Sequence, residues 1–185
     1  MNTNNNVINR MPHWYMTKSE CEKIEQKASD FFDEYCPDGK KDHMGYECAI
    51  FNYIEANNII MKDSFELGEA SAVLQKEGDR WVILLNAYEG RNRQIFSLAH
   101  EVAHHYLHSS ELDSFVITNL RVYRKQEERR AKIEMEANQL AGAILMPKWI
   151  IEYEDVGDDR QKMDKLANKF GVSMHALETR ISILS

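Results

Sequence analysis

The sequence predicts one α+β domain, with a small antiparallel or mixed sheet packed against a central helix and further helices after it. Three observations carry this. The run RQIFSLAHEVAHHYLH, ending at His108, separates apolar from polar residues at helical spacing. Two strand-like runs precede it, ASAVLQK from Ala70 and RWVILLN from Arg80, close enough to pair. Apolar stripes of period 3.6 recur on both sides. At 185 residues and 43% hydrophobic content, the chain suits one domain with a real core.

Residues 1–17 are rich in Asn and read as a disordered tail, with the folded domain spanning 18–185. The tail lacks an apolar secretory core, and no run reaches membrane-span length. Cys21, Cys36 and Cys48 have no zinc-site spacing, so reduced thiols in a cytoplasmic protein are expected. Ser19 fits the cap of a first helix, with Glu22 completing a capping box. That helix runs to Tyr35 on a stripe of Cys21, Ile24, Ala28, Phe31 and Phe32, and Pro37-Asp38-Gly39 ends it. A second helix is expected from Tyr46 to Asn57, then a short strand at Ile59-Ile60-Met61.

The hairpin strands are Ala70 to Lys76 and Arg80 to Asn86, with Glu77-Gly78-Asp79 as a three-residue loop. Both faces of the second strand are apolar, which makes it central. The first, with Ser71 and Gln75, fits an edge that could take up an extended peptide by strand addition. The central helix spans Asn92 to His108. The segment 109–122 has no clean period and suits either a short strand at Phe115-Val116-Ile117 or a loop over the site.

A long helix follows from Lys125 to Met146, stopped by Pro147. It carries an apolar face of Ile133, Ala137, Leu140, Ala141, Ile144 and Leu145, and Gly142 would permit close helix contact. Residues 158–185 have a helix-turn-helix rhythm about Gly171, with Ser173 as cap. Two packed helices are the preferred reading. Formal net charge is −7, so direct nucleic-acid binding is not expected. The basic patch at Arg121, Arg124, Lys125, Arg129, Arg130 and Lys132 is interrupted by Glu127 and Glu128 and reads as a solvated helix start.

Within the central helix stands His100-Glu101-Val102-Ala103-His104. Residues four apart share a helix face, so the two imidazoles can bind one metal ion. Glu101 lies about 60° round the helix from His104 and is placed to act on water without being a ligand. A catalytic zinc site wants a third protein ligand and an open position. His108 is roughly 12 Å along the axis from His100, and His105 is rotated away. The metzincin extension is absent, because Leu107 and Ser110 occupy its glycine and histidine positions. A carboxylate remains. Glu134 and Glu136 both border the apolar face of the long helix, and periodicity does not choose between them. Glu111 and Asp113 are nearer in sequence but lie in the irregular segment.

The motif RQIFSLAHEVAHHYLH followed by EMEANQLAGAILMP resembles the ImmA/IrrE family of zinc metallopeptidases. ASAVLQKEGDRWVILLN resembles its strand pair and KLANKFGVSMHALETRI its C-terminal segment, so the likeness covers residues 46–185. Leu140 departs from the Phe common in the family, and the stretch between His104 and Glu136 is long.

The resemblance implies a zincin-like fold. It implies Zn2+ held by His100, His104 and Glu136, with Glu101 as general base. Tyr123, His105 and His108 are candidate oxyanion donors. It further implies an endopeptidase cleaving a helix-turn-helix repressor of a mobile element, prophage or stress regulon. The alternative is a non-proteolytic module that binds a repressor or DNA and keeps a structural or vestigial metal. A purely structural site has no use for Glu101.

Overall fold

A computed structural model of the chain describes residues 16–38, 46–115, 123–157 and 159–184, and side chains throughout these except at 113–115 and 123–127. Helix α1 (Lys18–Tyr35) is capped by Thr17, not Ser19. The Thr17 hydroxyl accepts from the Glu20 N–H at 3.3 Å, and Glu20 accepts from the Thr17 N–H at 2.8 Å. Two overlapping Ser/Thr-x-x-Glu patterns compete here. Glu20 also accepts from Lys132 at 2.8 Å across the fold, and Thr17 is the cap that recruits Glu20. Residues 1–15 of the expected tail lie outside the described residues, while Met16 packs at the core's edge.

Helix α2 (Tyr46–Ala56) turns Ala49, Ile50, Tyr53 and Ile54 inward, as its spacing predicts. Strands β1 (Ile60–Ser64), β2 (Ala72–Glu77) and β3 (Arg80–Asn86) form a mixed sheet in the order β1-β3-β2. β3 is central, parallel to β1 and antiparallel to β2, and β2 is an edge. The hairpin is tighter than expected. Glu77 pairs with Arg80, so the turn is Gly78-Asp79, and Gly78 supplies the positive φ of +64° that a two-residue turn needs. The loop after β3 is held by Asn86, whose amide donates to the Ala70 carbonyl at 2.9 Å and whose oxygen accepts from the Tyr88 N–H at 3.0 Å.

Helix α3 (Arg91–Phe115) runs a turn and more beyond the expected end. Phe115 is therefore helical, and the rest of the expected strand or loop, 116–122, lies outside the described residues. Helix α4 (Tyr123–Leu145) follows and stops before Pro147. α3 and α4 make the most extensive helix pair. Ala99, Ala103, Ala137 and Ala141 are all fully buried, which lets the helix axes approach closely. Gly142 is not the contact point, since a Cβ there would meet only the Met146 side chain at 4.0 Å.

Helices α5 (Lys148–Glu154), α6 (Arg160–Phe170) and α7 (Met174–Leu184) complete the fold. α6 ends on Gly171 at φ +66°, and Ser173 caps α7 by accepting from the Ala176 N–H, as the sequence predicts. The α6–α7 pair is anchored inward. Leu166, Phe170 and Leu177 are buried, and Arg180, 2% exposed, donates to both oxygens of Glu25 on α1 and to the Met146 carbonyl at the end of α4. In the basic patch, Arg129 is paired with Glu111 and Lys132 with Glu20. No disulfide joins the three cysteines. Among the described residues no helix is long and apolar enough to cross a membrane.

Candidate metal centre

α3 places His100 and His104 one above the other on its face toward β2 and α4. Their Nε2 atoms stand 2.9 Å apart. Glu134 from α4 completes a triangle, its Oε2 lying 3.3 Å from His100 Nε2 and 3.4 Å from His104 Nε2. Ligand atoms held tetrahedrally about 2.0–2.1 Å from zinc lie about 3.3–3.4 Å apart. Two edges of the triangle match that spacing, and the third needs a small rotation of the imidazoles. Among the described residues these are the three His, Cys, Asp or Glu side chains that converge so closely, and no fourth joins them. The donor set, two imidazoles and one carboxylate, therefore fits a divalent ion with a position left open.

The structure does not bring Glu136, the expected third ligand, to the histidine pair. Glu136 turns the other way, its Oε2 3.3 Å from His108 Nε2 and its Oε1 3.8 Å from Lys132. Glu134 and Glu136 flank the buried Ile133–Ala137 stripe from opposite sides. The crossing of α3 over α4 brings the Glu134 side to the histidine pair.

Burial lowers the pKa of both His100 and His104, so both imidazoles are neutral and have lone pairs to give at neutral pH. For His104 the neighbouring His100 acts in the same direction, and Glu134 opposes. The Asn138 side chain lies against His100 and favours its charged form. Asn138 stands one turn after Glu134 on α4, so its place beside the pair follows once Glu134 is the residue in register.

Glu101 lines the cleft next to the pair. Burial pushes its carboxyl up to about 7, Glu134 pushes the same way, and the Leu74 backbone N–H on β2 holds it back. That is the range in which a carboxylate both takes and gives a proton efficiently. A cation beside it would draw the value down. The hydrogen bond from Leu74 also ties the edge strand to the helix bearing the motif.

The other histidines of the run serve elsewhere. His105 is buried, with Nδ1 2.6 Å from the Tyr53 hydroxyl and its ring edge-on to Trp81. His108 is buried between Glu136 and Glu111, one turn beyond the pair. Neither is in the triangle, and the Tyr123 side chain lies outside those described. Glu111 is taken by Arg129, and the Asp113 side chain also lies outside those described.

The centre sits midway along a cleft between β2 and the α3–α4 pair. Two hollows, ≈ 330 Å³ and ≈ 650 Å³, both reach Ala72, His100 and Glu101.

A family model described as Peptidase_M78, the IrrE N-terminal-like domain, matches residues 55–182. No curated protein matches the chain. Among solved structures, a Mycobacterium tuberculosis transcriptional regulator is similar in fold, with a TM-score of 0.61 and 20% identity. The match covers 87% of this chain and 46% of the regulator, so the chain spans about half the length of that protein.

Proposed function

From the chain's membership of the IrrE N-terminal-like (Peptidase_M78) family, we propose that it is a zinc-dependent endopeptidase with His100, His104 and Glu134 as metal ligands. The observation that carries this is the triangle of three donor atoms beside a half-buried Glu101 whose carboxyl is pushed up to about 7. A bound divalent ion would supply Lewis acidity, making water acidic enough to ionise near neutral pH and polarising a carbonyl. Glu101 takes the proton from the attacking water and delivers it to the leaving amine. β2 is an edge strand with β3 as its partner in the sheet, so an extended peptide could add beside it and lie across His100 and Glu101.

The substrate proposed is a helix-turn-helix repressor, on the strength of the family resemblance. The non-proteolytic alternative leaves unexplained why a carboxylate stands half-buried next to the proposed metal ligands at a desolvation penalty.

The test is co-incubation of the zinc-loaded protein with purified helix-turn-helix repressors from the same genome. Cleavage by the parent and none by Glu101→Gln, with zinc content unchanged, is expected. Equal cleavage by both would overturn the role of Glu101. An intact repressor with the zinc-loaded parent would count against this substrate.

A further inference from the structure

The cleft is chemically lopsided about the metal centre. The smaller hollow is lined mainly by polar groups, Glu69, Ser71, Arg93, Ser97 and Asn138, with Ala70, Ala72 and Phe96 between them. The larger is lined among the described residues by Ala72, Val73, Leu112 and Ile133, the Leu74 backbone, Arg130, His104 and Glu134. His100 and Glu101 line both. A bond held over Glu101 therefore has an apolar cavity on one side and a polar one on the other.

We infer that the ≈ 650 Å³ hollow is a specificity pocket for the residue on one side of the scissile bond, and that it selects a large apolar side chain such as Leu, Ile, Met or Phe. This rests on the proteolytic reading. In a peptide paired along β2, successive side chains alternate faces, so one residue beside the cleaved bond points down between β2 and α3. There it meets Val73 from the strand, Leu112 from α3 and Ile133 from α4, while the Leu74 side chain packs into the core on the other face of β2. Ile133 is 3% exposed and forms the floor. An apolar side chain leaves water on entering, and a carboxylate would approach Glu101 and Glu134. The smaller hollow, with hydrogen-bonding groups of both kinds and both charges, accepts varied polar side chains on the other side of the bond.

The test uses the zinc-loaded full chain and a degenerate peptide mixture, with every cleaved bond located by mass spectrometry. The expected result is enrichment of large apolar residues by about tenfold or more at one fixed position adjoining the bond, the discrimination typical of an apolar pocket. Leu112→Glu should cut that enrichment several-fold and admit Lys or Arg at the same position. Val73→Glu, on the edge strand, does the same if Leu112→Glu does not fold. Cleavage without positional preference, enrichment of Asp or Glu through Arg130, or a preference unchanged in the folded variants would each overturn this inference and leave the peptidase reading standing. A mixture left whole by the zinc-loaded parent would overturn both.

Discussion

At the scale of single residues, the histidine pair was legible because one helix carries both imidazoles and a spacing of four fixes their geometry. The third carboxylate was not. Glu134 and Glu136 are both adjacent to the buried stripe of α4, and local periodicity treats them alike. Only the crossing of α3 and α4 separates them, placing Glu134 at 3.3–3.4 Å from the two imidazoles and Glu136 beside His108. The family resemblance pointed to Glu136, and both glutamates fall within the motif that carries it. Tyr53 and His105 were equally hidden, because a contact between residues 52 apart leaves no local pattern. Replacing Tyr53 with Phe removes the 2.6 Å hydrogen bond in the core. It should lower unfolding free energy by about 1 kcal/mol in urea titration and leave zinc content unchanged.

At the scale of elements, the strands and helices followed their periodicities closely, and the errors fell at their ends. Helix starts depend on which of several capping residues finds a further partner. Here the link from Glu20 to Lys132 on α4 accompanies the choice of Thr17 over Ser19. The Lys132 ammonium and the Thr17 N–H draw the Glu20 carboxyl down from 4.5 to about 2. A group whose folded pKa is depressed adds stability above its unfolded pKa, and that stability is lost as pH falls through the folded one. Thermal unfolding of the metal-free protein should therefore show Glu20→Gln melting below the parent at pH 6, with the difference closing between about pH 4.5 and 2. A gap that persists unchanged at pH 2 would contradict this account of the cap.

At the scale of the whole molecule, the C-terminal pair of helices belongs to the core. The sequence showed their rhythm but not what they dock against. Arg180 makes that docking, since its guanidinium is buried between Glu25 of α1 and the carbonyl of Met146. Breaking a buried ion pair by removing one partner costs about 3–5 kcal/mol, and the partial exposure of Glu25 sets the lower end here. Arg180→Ala should lower unfolding free energy by about 3 kcal/mol in urea titration; an unchanged midpoint would mean the pair is an appendage.

The architecture as a whole converges on the cleft. β2 ends the sheet, α3 crosses beneath it, and α4 delivers the carboxylate. That convergence is tested most directly by zinc stoichiometry, measured by elemental analysis on purified parent, Glu134→Ala and Glu136→Ala after dialysis against a weak chelator. The account predicts near one zinc per chain in the parent and in Glu136→Ala, and little in Glu134→Ala. Full zinc in Glu134→Ala with loss in Glu136→Ala would contradict it.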